Sequence, residues 1–265
     1  MNKFYRFSAE NVKVFVRINI LNQIMSKYVI GDIHGGLKAL QQVLGKINLK
    51  NDDLLIFLGD YVDGWSESPQ VIDFLINLNR KYNCVFLRGN HDTLLCDYLK
   101  NGNYNEEWFM HGGKSTLDAY HNLDTNTITQ HIHFLENLHD YYLDNFNRLF
   151  IHAGFTNIKG IEFEYFKPLF YWDRTLWELA LAFDSNIKKS DCNYPSRLKL
   201  YNEIYIGHTP VTRINKTIPI NKACIWNLDT GAAFKGPLTI MNIETKDYWQ
   251  SDPLPELYPS ENGRN

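Results

Sequence analysis

The sequence has no long apolar run and few cysteines. None of its apolar stretches approaches the roughly 20 residues that a membrane-spanning helix needs, so we expect no contact with a membrane. The stretch from Val12 to Ile24 is interrupted by Lys13 and Arg17 and lacks a small-residue cleavage site, which argues against a signal peptide. The four cysteines show no Cys-x-x-Cys spacing, and we therefore expect reduced thiols in a cytoplasmic protein.

The sequence also lacks an excess of charge of one sign. It has 27 lysines and arginines against 30 aspartates and glutamates, a net charge of −3, so no basic surface suggests a nucleic-acid partner. With 265 residues and 44% hydrophobic residues, the chain can bury a sizeable core. We predict one domain over residues 27–249, an N-terminal extension outside the fold over 1–26, and a loose C-terminal tail over 250–265.

Strand and helix patterns alternate along the first part of the domain. Apolar runs at 28–30, 54–58 and 84–87 are typical of buried strands, and helical spacing of apolar residues separates them at 37–47 and 71–78. Later strands are predicted at 148–151, 204–206, 224–228 and 238–243. This order favours an α/β fold. In such folds the loops at the carboxyl ends of the strands converge on one edge of the sheet.

Five of these strands are followed by a side chain that can bind a metal, at or near a glycine. Glycine lets the backbone turn sharply and approach an ion closely. Carboxylate and imidazole together suit Mn, Fe or Zn better than an ion that prefers oxygen alone. Each segment alone could be an ordinary turn, but five in order predict a metal site. The residues are Asp32 with His34, Asp60, Asn90 with His91, His152 and His208.

The motifs around these residues resemble those of the calcineurin-like metallophosphoesterases, and within them the phosphoprotein phosphatase group with its bacterial and phage members. They read G-D-I-H-G at 31–35, G-D-Y-V-D-G at 59–64, R-G-N-H-D at 88–92, H-A-G at 152–154 and G-H-T-P at 207–210. The L-D-T-G segment at 228–231 matches a late element of the family. The resemblance implies an α/β metallophosphoesterase fold, in which a central two-sheet β-sandwich is flanked by helices in four layers, αββα.

The resemblance also implies two divalent metal ions per chain, most simply Mn²⁺, with Fe or Zn as alternatives. One ion would be bound by Asp32, His34 and Asp60, and the other by Asp60, Asn90, His152 and His208, so that Asp60 bridges the two. A metal-bridging hydroxide would then attack phosphorus directly.

A histidine–carboxylate pair is implied beside the metals. His91 would act as general acid for the leaving oxygen, and Asp63 would orient it. Asp92, where many relatives carry glutamate, is expected to support the metal-binding residues without contacting the ions, and Arg88 is expected to brace the loop.

The motifs lack one residue that binds the substrate phosphate in the family, because Gly64 stands where the family carries an arginine. Asn90 and Arg174 are predicted to contact the phosphate, although Arg174 could instead be a surface residue paired with Asp173. Lys114, which follows the Gly-Gly turn at 112–113, is a further candidate. Three nearby histidines are expected to be exposed rather than functional, namely His131, His133 and His139.

The function implied by the resemblance is metal-dependent hydrolysis of phosphomonoesters, in the first place by a serine/threonine protein phosphatase. One alternative is a symmetrical bis(5'-nucleosyl)-tetraphosphatase, which shares every metal motif. Another is a weakly active scaffold that binds phosphorylated partners. The expected substrate is a phosphorylated protein or a small molecule that contains phosphate.

Overall fold

A computed structural model describes residues 25–264, so nearly all of the expected N-terminal extension lies outside the described residues. Ten strands are present: β1 Lys27–Ile30, β2 Leu54–Phe57, β3 Asn83–Phe86, β4 Tyr141–Leu143, β5 Arg148–Ile151, β6 Glu203–Ile206, β7 Ile220–Lys222, β8 Ile225–Asn227, β9 Thr239–Asn242 and β10 Tyr248–Gln250. The helices are α1 Leu37–Gly45, α2 Ser68–Asn79, α3 Asn90–Asn101, α4 Glu106–Trp108, α5 Lys114–Tyr120, α6 Thr125–Glu136, α7 Leu169–Trp172, α8 Thr175–Ala182 and α9 Leu254–Leu257. Within residues 25–264, no helix has the length and apolar character needed to cross a membrane.

The strands form two five-stranded sheets. The first has the order β10-β9-β1-β2-β3, and the second has the order β4-β5-β6-β8-β7. β1, β2 and β3 run parallel, with Val29 opposite Ile56 and Ile56 opposite Val85. β5, β6 and β8 are also parallel to one another. The first sheet is therefore parallel on the β3 side and antiparallel on the β10 side. The second sheet has a parallel centre and two antiparallel edges.

The two sheets pack face to face. Successive residues of a strand point to opposite faces of its sheet, so alternate residues show what each face contacts. Val29 and Ile56 of the first sheet share one buried cluster with Phe150 and Tyr205 of the second. The alternate residues Ile30 and Leu55 face the other way, into a cluster that they share with α1 and α2.

On the far side of the second sheet, Leu149 and Ile204 pack against Leu176 and Trp177 of α8. The layers are thus helix, sheet, sheet, helix. This confirms the αββα sandwich expected from the sequence.

The C-terminal segment differs from the expected loose tail. Residues 251–264 contain α9, whose Leu254 is fully buried, and Tyr258 stacks on Trp65 with ring centroids 5.2 Å apart. The Tyr258 hydroxyl accepts a hydrogen bond from the backbone N–H of Lys38. The prolines and glycine of the C-terminal segment suggested coil, but the few apolar side chains of the segment fill the end of the core beside α1.

His131 also differs from its expected exposed position. It is fully buried on α6, where its ring bonds the hydroxyl of Tyr120 and the carboxylate of Asp73. His133 and His139 are exposed as expected. The sequence spacing of the three histidines does not reveal this difference, because it does not show that α6 directs His131 but not His133 toward α2 and α5, or that His139 lies beyond the helix.

Candidate active site

The residues predicted to bind metal lie together where strands of both sheets end. Each follows a strand or begins the helix after one, five strands in all, and none has more than 7% of its surface exposed. They are Asp32 and His34 after β1, Asp60 after β2, Asn90 at the start of α3, His152 after β5 and His208 after β6.

Asp60 lies at the centre of this cluster. Its Oδ2 is 3.6 Å from His34 Nε2 and 3.4 Å from His152 Nε2. Two sets of three side chains have donor atoms within 4.8 Å of one another, and Asp60 belongs to both. One set adds His34 and His91, and the other adds His152 and His208. A carboxylate shared by two ligand groups fits the expected bridging position.

Asp32 and Asn90 complete the cluster. Asp32 Oδ2 lies 3.9 Å from His34 Nε2 and accepts a hydrogen bond from the backbone N–H of His208. Asn90 Oδ1 is 3.3 Å from His152 Nε2 and 2.9 Å from His208 Nδ1. The amide oxygen of Asn90 therefore faces the same space as the two imidazoles.

Two glycines allow the carboxylates to come this close to the backbone. A Cβ on Gly89 would lie 2.1 Å from Asp60 Oδ1, and one on Gly207 would lie 2.0 Å from Asp32 Oδ1. Such distances are far below van der Waals contact. The glycines of R-G-N-H-D and G-H-T-P are thus required by the site itself.

Four site residues have left-handed backbone conformations that side chains seldom adopt. Their φ angles are positive at His34 (52°), Asp60 (53°), Asp63 (73°) and His208 (65°). Each costs about 1–3 kcal/mol, and such residues persist where the surrounding structure enforces them. The concentration of strain at this edge of the sandwich marks it as functional.

The cluster crowds buried carboxylates together, and this imbalance of charge shifts the pKa values of its members. Burial and the neighbouring Asp229 raise the pKa of Asp32 well above its ordinary value. Burial also opposes ionisation of Asp60, but His152 and His91 outweigh it and hold the pKa of Asp60 well below its usual range. Burial likewise opposes protonation of His152, yet Asp60 raises the pKa of His152 to about 10. Cations between these carboxylates would relieve the same imbalance.

Unpartnered polar atoms indicate that the donor set fits metal ions. Asp32 Oδ1 and His208 Nε2 are buried and have no hydrogen-bond partner among the described residues. The other nitrogens of the imidazoles are already fixed: His152 Nδ1 bonds the carbonyl of Leu58 at 2.8 Å, and His34 Nδ1 bonds that of Asp63 at 3.0 Å. Bonds of this kind orient a metal-binding histidine.

His91 and Asp63 form the expected pair beside the cluster. His91 Nδ1 lies 2.6 Å from Asp63 Oδ2. The indole N–H of Trp108 donates to the same carboxylate oxygen. The backbone N–H of Asp63 is held by the hydroxyls of Ser68 and Thr116. Sequence reasoning did not identify Trp108, because α4 reaches Asp63 only through the tertiary fold.

Asp92 supports the loop after β2, as predicted. Its carboxylate accepts hydrogen bonds from the backbone N–H groups of Asp60, Tyr61 and Gly89 at 2.8–2.9 Å. It lies in the first turn of α3, whose N-terminus faces the cluster through Asn90 and His91. The positive end of a helix at this point favours an anionic substrate.

A cavity of about 510 Å³ opens in front of the cluster. Arg174, the predicted phosphate-binding residue, lines it, and its guanidinium lies 3.4 Å from Thr209 Oγ1 rather than pairing with Asp173. Lys114 is exposed at the start of α5 and is not among the lining residues. The expectation that Lys114 contacts phosphate is therefore not supported. Two arginines that sequence reasoning did not identify, Arg213 and Arg264, also line the cavity.

Asp229 is a fourth residue, after Trp108, Arg213 and Arg264, that was not assigned to the site from the sequence. It follows β8, is 4% exposed and lines the cavity. Burial and the nearby Asp60 raise its pKa to about 6, against a hydrogen bond from the Gly231 N–H. Its signal in the sequence was the same as that of Asp32 and Asp60: an aspartate after a strand, close to a glycine.

Comparison with known proteins finds relatives over most of the chain. The family model for the calcineurin-like phosphoesterases matches residues 25–227. The asymmetrical bis(5'-nucleosyl)-tetraphosphatase PrpE of Oceanobacillus iheyensis is 25% identical over 238 residues, which cover 83% of this chain and 89% of that protein.

A second relative matches only in part. Serine/threonine-protein phosphatase 2 of Escherichia coli is 33% identical over 92 residues, which cover 34% of this chain and 40% of that protein.

Among solved structures, a provisionally named diadenosine tetraphosphatase superposes with a TM-score of 0.58 at 19% identity, over 86% of this chain and 93% of that one. At this identity the superposition supports the fold alone.

Proposed function

The chain belongs to the calcineurin-like phosphoesterases and is a metal-dependent phosphoric ester hydrolase, and we propose that its substrates are dinucleoside tetraphosphates. The proposal departs from the protein phosphatase that the sequence motifs favoured. It adopts the tetraphosphatase alternative but leaves the symmetry of cleavage open, because the relative matched over 83% of this chain is named an asymmetrical tetraphosphatase.

Two groups of side chains would hold the metals. Asp32, His34 and Asp60 form one, and Asp60 with Asn90, His152 and His208 forms the other. Bound divalent ions would supply an activated water and neutralise charge on the phosphate. The mixed carboxylate and imidazole donors favour Mn²⁺ as the proposed ion, and Fe or Zn would fit the same donor set.

The protein's own groups would then orient and protonate the substrate. His91, held through Nδ1 by Asp63, is the proposed acid for the leaving phosphate oxygen. The Asp63 carboxylate fixes the imidazole orientation, and Trp108 fixes the carboxylate. Near neutral pH a histidine is well suited to donate this proton.

The composition of the cavity carries the choice of substrate. Arg174, Arg213 and Arg264 converge on the space in front of the metal-binding cluster, together with the aromatic rings of Trp172 and Phe234. A polyphosphate chain carries more negative charge than a single phosphomonoester, and several guanidinium groups match it. Aromatic rings beside them can stack on a nucleobase.

A serine/threonine protein phosphatase is the second candidate. The partial similarity to the Escherichia coli phosphatase favours it. That similarity covers only about a third of the chain. Both kinds of enzyme carry the same metal-binding motifs, so the residues of the cavity must determine which substrate is bound.

The test compares hydrolysis of diadenosine tetraphosphate with that of a phosphoserine peptide by the same purified protein in Mn²⁺. We expect kcat/KM to be at least tenfold higher for the dinucleotide. His91→Asn protein prepared in parallel controls for contaminating phosphatases. Release of ATP and AMP would indicate asymmetrical cleavage, and release of ADP alone would indicate symmetrical cleavage. Preferred hydrolysis of the peptide would contradict the proposal, as would the absence of turnover with either substrate.

A further inference from the structure

Gly64 and Gly112 form a slot that is filled by an arginine from a distant part of the chain. A Cβ on Gly112 would lie 2.8 Å from Arg264 Cγ, and one on Gly64 would lie 3.3 Å from the same atom. Both glycines have φ angles above 100°, which other residues rarely adopt. The backbone N–H of Gly64 donates to the carbonyl of Gly112, which closes the base of the slot.

The C-terminal segment is fixed up to Arg264 itself. Glu261 accepts hydrogen bonds from the backbone N–H and the hydroxyl of Ser66. Gly263 lies against the ring of Trp65, where a Cβ would come within 2.7 Å. The backbone N–H of Arg264 donates to the carbonyl of Ala233 at 2.8 Å. The arginine stem is therefore held at the rim of the cavity by contacts that do not involve its guanidinium.

Arg264 lines the cavity together with Asp229, whose charge acts on the guanidinium, but it forms no ion pair with a carboxylate among residues 25–264. Its Nε is buried and has no hydrogen-bond partner among residues 25–264. Its central carbon lies 5.4 Å from the centre of the Phe234 ring. Within the described part of the chain, the arginines that form ion pairs are Arg88 and Arg148, not those of the cavity.

The other cavity arginines add to this positive charge. Burial lowers the pKa of Arg174, and the charges of Arg213 and Arg264 lower it further. Like charges brought together are unfavourable unless an anion joins them. An unpartnered buried N–H donor among such charges indicates a bound anion.

We propose that Arg264 binds a phosphate group of the substrate. Its side chain lies beside Gly64, the position at which the family motif carries an arginine. The inference rests on the proposed function for the identity of the substrate, because a polyphosphate chain would reach both the metal-binding cluster and Arg264. The ligand chemistry is a phosphate oxygen held by the guanidinium fork.

The test measures binding of inorganic phosphate to the Mn²⁺-loaded protein by calorimetry, and KM for diadenosine tetraphosphate. Arg264→Ala and Arg264→Gln remove the charge, and the Gln variant keeps most of the stem against Phe234. Arg80→Ala and Arg80→Gln are matched controls, because Arg80 follows α2 and bonds only Asn77 at the surface. We expect both Arg264 variants to weaken phosphate binding about tenfold, the loss of one charge-assisted hydrogen bond, and to raise KM similarly. We expect the Arg80 variants to match the wild type.

Unchanged phosphate affinity in either folded Arg264 variant would overturn the proposal. The thermal midpoint checks folding, and the Gln variant carries the test if the Ala variant unfolds. If the wild type does not cleave diadenosine tetraphosphate, the proposed function fails, while the phosphate affinities still decide the role of Arg264. If it cleaves the dinucleotide and the affinities are unchanged, only the role of Arg264 is refuted.

Discussion

Asp63 connects residues that are far apart in the sequence. Its carboxylate binds His91 from α3 and Trp108 from α4, and its backbone N–H binds Thr116 from α5. Its left-handed conformation turns the chain so that all of these contacts form at once. At the scale of single residues, the proposed catalysis depends on this arrangement.

His91→Asn tests the proposed acid. We expect kcat to fall about 10²–10⁴-fold, the usual contribution of general acid–base catalysis, while the metal content stays unchanged. The fall should be smaller for diadenosine tetraphosphate than for a phosphoserine peptide, because a phosphate leaving oxygen is less basic than an alkoxide. Steady-state kinetics and elemental analysis measure these effects.

His133→Asn, an exposed histidine of α6, is the matched control and should behave as the wild type. Loss of metal from His91→Asn would instead assign His91 as a ligand, in agreement with its membership of one of the two donor groups. Unchanged turnover would refute the proposed role of His91 as general acid.

Trp108→Phe tests the support of Asp63. The substitution keeps most of the apolar volume beside Gly113 but removes the indole N–H, so we expect kcat to fall about tenfold, as for other outer hydrogen bonds of such sites. KM should change little. Trp177→Phe is the control, since Trp177 is equally buried, at 2% exposure, but lies in the core of the other sheet. An equal loss of kcat in both variants would contradict a specific role of Trp108.

Single residues were predictable from the sequence where their role follows from local order. Asp32, Asp60, His152 and His208 each follow a strand, and the end of a strand fixes where its side chain goes. Trp108 and Arg264 were not predictable, because nothing in their own neighbourhood shows what they contact. The position of Lys114 outside the cavity lining was not predictable for the same reason: a Gly-Gly turn beside a lysine does not reveal which residues fill the space above the turn.

At the scale of elements, the C-terminal segment acts as a support for the loop at 61–66. Residues 251–264 pack Leu254 and Tyr258 beside α1 and cover Trp65, whose indole N–H donates to the carbonyl of Ala232. Composition suggested a tail without structure, since proline, glycine and polar residues predominate. A few buried apolar side chains outweigh that composition, because each gains free energy from burial.

Leu254→Ala tests whether this segment is part of the fold. Leu254 is fully buried, so its truncation should lower the free energy of unfolding by about 2–5 kcal/mol, as for other core leucines. Glu256→Ala, on the exposed side of the same short helix, should change it by less than about 0.5 kcal/mol. Chemical denaturation measures both values. Equal stability of the two variants would contradict the packing of α9.

At the scale of the whole molecule, the site is assembled from both sheets. β1, β2 and β3 of the first sheet and β5, β6 and β8 of the second all lead into it at their carboxyl ends. The order of strands and helices predicted such a common edge, and the layers agree with the prediction. The assignment of strands to the two sheets could not be predicted from hydrophobic periodicity. The periodicity shows which face of a strand is buried, but not which other strands it pairs with or packs against.

The metal content of the purified protein tests the central claim most directly. The claim is that one carboxylate, Asp60, joins two groups of ligands contributed by the two sheets. After loading with Mn²⁺ and removal of free ion, we expect two ions per chain in the wild type and in the control Asp118→Asn, which alters an exposed carboxylate of α5. Asp60→Asn should hold fewer than two, because the amide cannot supply the negative charge between two cations. Two ions retained by Asp60→Asn, or fewer than two in the wild type, would contradict the account.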